Sequence, residues 1–315
     1  MTALVKDPSQ IRLGIIGMTE GNGHPYSWSA MFNRYNREAM TAECPFPVIP
    51  VYLNKEDYDH MGIPGARMEM ICCDDRRDAE HVAKLSLIPK VVARPEEMIG
   101  QVDAVIIATD IGSEHIRRAK PFLDAGIPLF IDKPLCDNRA DLEYFTSLFE
   151  SGYPLMSSSS MRYCKEFLPY HGGGTRELGE LRLVMYGMPK KWETYGIHSL
   201  EAVYPIVGPG FESVVNTGSF KRNVVHLKHK RGVDIVLTGI YDCGVPSMVL
   251  AGTGGNVELK SKDSYTSFRN QLVAFVDFLK TGVRPYPWQE TVELMKLVIA
   301  GIESREQGGK AIRIW

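Results

Sequence analysis

Two short segments of this 315-residue chain carry side chains suited to taking a proton from a hydroxyl and steadying the charge left behind. The first is Asp132-Lys133-Pro134. Proline fixes its own φ and biases the residue before it toward an extended backbone. Lys133 can thereby be aimed into a cleft, where an ammonium hydrogen-bonds a substrate oxygen and stabilises a developing alkoxide. The second is His198 with Glu201, at i and i+3 within YGIHSLEAVYPIVG (195–208), so the two share a helix face. That face differs from the apolar one formed by Leu200, Val203, Tyr204 and Val207, which predicts that His198 lies outside the hydrophobic core. An imidazole titrating near about pH 6.5 suits proton abstraction. A third segment could hold phosphate: Gly17-Met-Thr-Glu-Gly21-Asn-Gly23 follows an apolar run. Glycines there let backbone N–H groups approach an anion at a helix start. Against the spacing G-x-G-x-x-G, Gly17 is in place, Thr19 stands at the second glycine, and Gly21 and Gly23 fit only a longer loop.

These residues need a frame. Residues 11–17, 68–73, 91–92, 102–109, 128–131 and 155–160 read as strands, and 102–109 (VDAVIIAT) is apolar enough to be covered on both faces. Helical patterns lie between them. They are marked by Trp28, Met31, Phe32 and Tyr35, by Ala79, Val82 and Ala83, by 113–125 with Pro121 shortening or kinking it, and by Leu142, Phe145 and Phe149 behind an Asn138 cap. Residues 36–66 read as a proline-rich, irregular insertion. This alternation predicts an α/β doubly wound parallel sheet with ligands at the carboxyl ends of its strands, where Asp74 ends the second strand. The second half changes rhythm. Strands at 181–188, 213–220, 223–228, 233–241 and 247–251, with 229–232 (HKRG) as a turn, predict a mostly antiparallel sheet. Helices at 268–279 and 289–307 close the chain. Domains of 1–155 and 156–315 follow, and the only low-complexity tract is the serine run 157–160.

Composition bounds the function. Hydrophobic residues make up 44% and charged residues 23%, with a formal charge of −2, so no basic surplus points to nucleic acid. The first residues lack a signal core and no apolar run is long enough for a membrane span, which predicts a cytoplasmic protein. The six Cys show no C-x-x-C pair and read as reduced, mostly buried thiols, with no metal site expected.

Three segments together resemble the Gfo/Idh/MocA oxidoreductases: the βαβ start with its glycines, residues 102–135 ending in Asp132-Lys133-Pro134, and 195–208 with His198. The resemblance implies an N-terminal Rossmann domain, a C-terminal α/β domain with a large open sheet, and an NAD(P)-dependent dehydrogenase of sugars, cyclitols or related polyols. It implies a dimer or tetramer assembled through that sheet. It assigns catalysis to Lys133 and His198, and cofactor contacts to Gly17, Thr19, Gly21, Asp74, Thr109, Asp110 and Lys133. It assigns substrate contacts to Arg162, Tyr163, Thr194, Tyr195, His198 and Glu201. Asp74 leans toward NAD over NADP, although Arg76 and Arg77 could accommodate a 2′-phosphate. Trp192 and Tyr195 could offer a flat face to a sugar, and His115 reads as a surface residue at a helix start. The chain departs from the family at Thr19, at Asp132 in place of glutamate, and at Thr194, where the family often has an aspartate four residues before the histidine. Those departures motivate two other readings: a non-catalytic sugar- or dinucleotide-binding regulator, and a non-redox enzyme that retains NAD.

Overall fold

The computed structural model describes residues 2–173 and 176–315. The chain forms two compact units: Met1–Asp132 with Ser147–Ser157 and Phe268–Tyr286, and Lys133–Thr146 with Ser158–Ser267 and Pro287–Trp315. Neither unit is a single stretch of chain, because the helix near residue 270 packs with the first.

In the first unit the order is β1 (Ile11–Ile16), α1 (His24–Asn33), α2 (Arg37–Glu43), α3 (Val48–Leu53), β2 (Ala66–Cys72), α4 (Arg76–Ser86), β3 (Lys90–Val91), β4 (Ala104–Ile107), α5 (His115–Asp124) and β5 (Leu129–Ile131). α6 (Arg139–Glu150), whose residues divide between the two units at Thr146, precedes the last strand, β6 (Leu155–Met156). The six strands are parallel in the order β3-β2-β1-β4-β5-β6, so the order reverses beside β1, where such sheets bind ligands. β1, β4 and β5 are almost wholly buried, as their apolar runs predict. Residues 36–66 differ from the irregular loop expected. They fold into α2, capped by the Asn36 side chain accepting from the Ala39 N–H at 3.1 Å, then α3 and a 3₁₀ turn at Tyr58–His60. Such short helices escape periodicity, which needs longer windows. The sixth strand stops at Met156; the serines after it turn into a 3₁₀ helix, Ser160–Tyr163. Pro121 lies within α5, which ends three residues later.

The second unit contains β7 (Leu181–Pro189), α7 (Ile197–Val207), β8 (Phe211–Asn216), β9 (Arg222–His229), β10 (Asp234–Ile240), β11 (Met248–Gly252) and β12 (Asn256–Leu259). α8 (Ser264–Thr281), mostly in the first unit, leads to α9 (Trp288–Glu306) and β13 (Ile312–Arg313). The sheet order is β12-β11-β7-β10-β9-β8-β13, antiparallel throughout except for β7 beside β10. One face is buried through Val184, Ile235, Leu237, Val225, Leu227 and Leu250. β8 ends at Asn216 rather than 220, because Ser219 and Arg222 close a tight hairpin. β12 and β13 are too short and polar to have shown a period of two. Among the described residues all six cysteines are free, four of them buried.

Candidate active site

In the first unit the glycine loop is tied to the ends of β4 and β5. Thr19 Oγ1 donates to the Asp110 carboxylate at 2.7 Å. Asn22 Nδ2 donates to the Ala108 carbonyl at 3.1 Å and to Asp132 Oδ2 at 3.2 Å. His24 Nδ1 lies 2.7 Å from the same Asp132 oxygen, with its ring stacked on Trp28. The shortened side chain of Asp132, fully buried, is thus the anchor of the loop. Glycine is required here by close approach and by φ. A Cβ at Gly17 would lie 2.4 Å from Pro25 Cγ, and one at Gly23 would lie 2.6 Å from Ile49 Cδ1, while Gly21 has φ +78°. Phe46 and Ile49, on and beside α3, therefore brace the entrance to α1.

Beyond β1 and β2 opens a cavity of about 450 Å³, lined by Ile16, Cys73, Asp74, Ala93, Pro95 and Arg118 among others. That volume lies within the range of cofactor pockets. Arg118 donates to both oxygens of Asp74, at 2.9 and 2.7 Å, and also to Glu114 at 2.9 Å. The hydrogen bonds from Arg118 hold the Asp74 carboxyl below its usual range, and burial pushes the Cys73 thiol up to about 12. Asp74 is a charged carboxylate in this wall, and Cys73 is a neutral thiol. Arg76 pairs with Glu80 and Arg77 with Asp75, both at the surface. Thr109 Oγ1, at the end of β4, is buried with no partner among the described residues. His115 is buried too, not at the surface as expected, because its Nε2 lies 2.9 Å from the Thr109 carbonyl and closes the turn after β4.

The second unit gathers Lys133, Tyr195 and His198. Lys133, 2% exposed, is no surface lysine; its Nζ lies 5.1 Å from the centre of the Tyr195 ring. The His198 ring meets the same phenol edge-on at 4.8 Å. His198 is buried, contrary to the expectation from its helix face, because α7 is covered on its polar side as well. Its Nδ1 lies 2.6 Å from Ser159 Oγ, which also accepts the Met161 N–H. Glu201 is equally buried: it accepts from the Ser159 N–H at 3.1 Å and from Arg162 Nε at 2.5 Å, and Arg162 reaches on to Glu290 at 2.8 Å. Burial raises the Glu201 carboxyl, and the Arg162 charge opposes that. Tyr163 ends the same 3₁₀ turn as Arg162.

Thr194 and Tyr195 lie on a π-helical turn, Trp192–Gly196, that enters α7. Trp192 is fully buried and so offers no face to a sugar. It wedges the turn instead: its Nε1 donates to the Val298 carbonyl at 3.0 Å. Cβ atoms at Gly196 and Gly301 would lie 2.6 and 2.4 Å from the indole. Glu193 pairs with Arg305 at 2.5 Å.

Residues 11–152 match the family model described as an oxidoreductase family with an NAD-binding Rossmann fold. The match covers the first unit's Rossmann portion, under half of the chain. No curated protein matches the sequence. Among solved structures, myo-inositol 2-dehydrogenase from Lactobacillus plantarum is similar at 15% identity and TM-score 0.71, covering 97% of this chain and 100% of its own. An oxidoreductase from Agrobacterium radiobacter, in complex with NAD+, L-tartaric acid and magnesium, aligns at 14% identity and TM-score 0.72, over 97% of this chain and 98% of that one. GenD2 from gentamicin A biosynthesis, in complex with NAD, aligns at 15% and 0.74, over 98% and 97%. Identities this low establish the shared fold.

The departures from the Gfo/Idh/MocA motifs are answered locally. Thr19 uses its hydroxyl to lash the loop to Asp110, and Asp132 serves Asn22 and His24. Glu193, next to Thr194, is paired with Arg305, and His198 Nδ1 lies against Ser159. Ser159, Asn22, His24 and Arg118 were not singled out from sequence. Ser159 was visible only as part of a serine run, and the others pair across 44 to 110 residues.

Proposed function

We propose that this chain is an NAD-dependent dehydrogenase that interconverts the secondary alcohol and ketone of a sugar, cyclitol or related polyol. The carrying observation is the convergence of a buried ammonium, Lys133, and an imidazole, His198, on one phenol ring. In this reading His198 Nε2 takes the hydroxyl proton. That requires Nδ1 to carry hydrogen and donate it to Ser159 Oγ, whose lone pairs then serve both Nδ1 and the Met161 N–H. Lys133 orients the same oxygen and stabilises its developing charge. Arg162 and Glu201 act one step back, by fixing the Ser159 backbone.

The residues of the first unit fit a dinucleotide. The cavity beyond β2 has the size for an adenosine, Asp74 sits where ribose hydroxyls would be received, and Thr109 keeps an unused buried hydroxyl. NAD, when bound, supplies the hydride acceptor. The Asp74 charge disfavours a 2′-phosphate, and Arg76, Arg77 and Arg118 are each engaged by a carboxylate, so NAD is favoured over NADP. The complexes with NAD among similar structures support the same cofactor.

The outer face of the seven-stranded sheet carries Met185, Val236 and Val249 in one cross-strand row. We place the contact of a homo-oligomer there, dimer or tetramer, since Met185 is exposed, Val236 and Val249 are half-buried, and apolar surface of this kind marks interfaces. No helix among the described residues is long and apolar enough to cross a membrane, and the compartment we propose is the cytoplasm. The test is titration of NADH and NADPH into the purified protein, followed by a polyol panel with NAD monitored for reduced nicotinamide. Saturable NADH binding with turnover supports the reading; binding of neither nucleotide overturns it in favour of a non-catalytic role.

A further inference from the structure

Lys190 follows β7 and is the one described residue in its segment whose backbone sits in the left-handed region without being glycine, at φ +69°. Such a backbone disfavours a side chain of any length, and strain of this kind collects at functional positions. The side chain turns to Tyr195. Lys190 Nζ lies 4.3 Å from the ring centre and donates to the phenol oxygen at 2.8 Å. Because that oxygen accepts, the phenol O–H hydrogen remains to be given elsewhere. The nearby carboxylates are committed to arginines: Glu193 to Arg305, and Glu201 and Glu290 to Arg162. None forms an ion pair with Lys190 among the described residues. Tyr195 is also the ring that Lys133 and His198 share.

Resting on the dehydrogenase reading, we propose that Lys190 and the Tyr195 hydroxyl form an anion-recognition site, and that the substrate is a polyol bearing an acidic group, such as a sugar acid, rather than a neutral one. One anionic oxygen would receive the Tyr195 O–H while the Lys190 ammonium faces it, a charge-assisted pair stronger than neutral hydrogen bonds. The acidic group would thereby be held beside the carbinol that Lys133 and His198 serve.

The test is calorimetric binding of glucuronate, glucose 6-phosphate and glucose to the NADH-loaded protein, compared with Lys190→Met and Lys190→Arg. The wild type is expected to bind at least one acid about tenfold or more tighter than glucose. Lys190→Met should remove that margin and leave glucose unchanged, and Lys190→Arg should retain most of it. Preference for the carboxylate or the phosphate identifies the acid. Glucose binding as well as the acids, no acid binding, or Lys190→Met weakening all three equally would each overturn the inference, the last by reducing Lys190 to a prop for Tyr195. NADH binding is measured first, so its loss counts against the dehydrogenase reading and not against this one.

Discussion

Gly301 on α9 is the most informative single position for the placing of the site. A methyl added there would sit 2.4 Å from Trp192 Nε1 and 2.8 Å from Cε2. Ordinary carbon contacts begin near about 3.5 Å, so the indole must retreat by about 1 Å. Overpacking of this kind costs about 2 kcal/mol, and weakening the Nε1 hydrogen bond to Val298 adds about 1 kcal/mol. Replacing glycine by alanine inside a helix returns about 1 kcal/mol. The net destabilisation expected for Gly301→Ala is about 2 kcal/mol by urea unfolding, which leaves a folded protein. Turnover should suffer more. Trp192 begins the π turn that carries Tyr195, so a shift of about 1 Å propagates to the ring shared by Lys133 and His198, and misplacement of that size costs about a hundredfold in rate. Trp192→Phe removes the atoms that collide. In that background the added methyl should cost at least about 1 kcal/mol less, a coupling that a double-mutant cycle reads directly. If Gly301→Ala keeps nearly wild-type kcat/KM, or its penalty is the same in both backgrounds, Trp192 does not position the site.

Three further outcomes are expected. His198→Ala should lower kcat by at least about a hundredfold with the fold retained by circular dichroism, and near-normal turnover would remove His198 from the chemistry. Glu201→Leu takes one of two carboxylates from Arg162 in a buried setting and should cost about 3 kcal/mol, whereas Glu201→Gln should cost less because it still accepts a hydrogen bond; equal losses would mean that volume, not charge pairing, matters. Asp74 has a lowered pKa in the fold, so its pairing with Arg118 stabilises above the unfolded value of about 3.9 and is lost as pH falls through the folded one. Asp74→Asn should therefore destabilise at neutral pH, by under about 1 kcal/mol for so exposed a carboxylate, with no difference in strong acid; a penalty that persists there would rule out the charge as its source.

The sequence by itself determined the elements whose signals are local. The apolar runs at Ile11–Ile16 and Ala104–Ile107, the glycines opening α1, and the Lys133-Pro134 pair were all legible because burial and backbone restriction act within a few residues. The short helices of 36–66 and the brief strands β12 and β13 were not, since neither is long enough to display a period. Tertiary structure alone decided how the site residues are used. Asp132 turned out to anchor the glycine loop, Asp74 to be held by Arg118, and Glu201 to hold Ser159 rather than lie open to substrate. Tyr195, read as a flat face beside the histidine, became the ring on which Lys133, His198 and Lys190 meet. Each of these roles depends on polar groups far apart in the chain satisfying one another where water is excluded, and the cost of leaving a buried polar group unpaired settles such pairings only once the chain has folded.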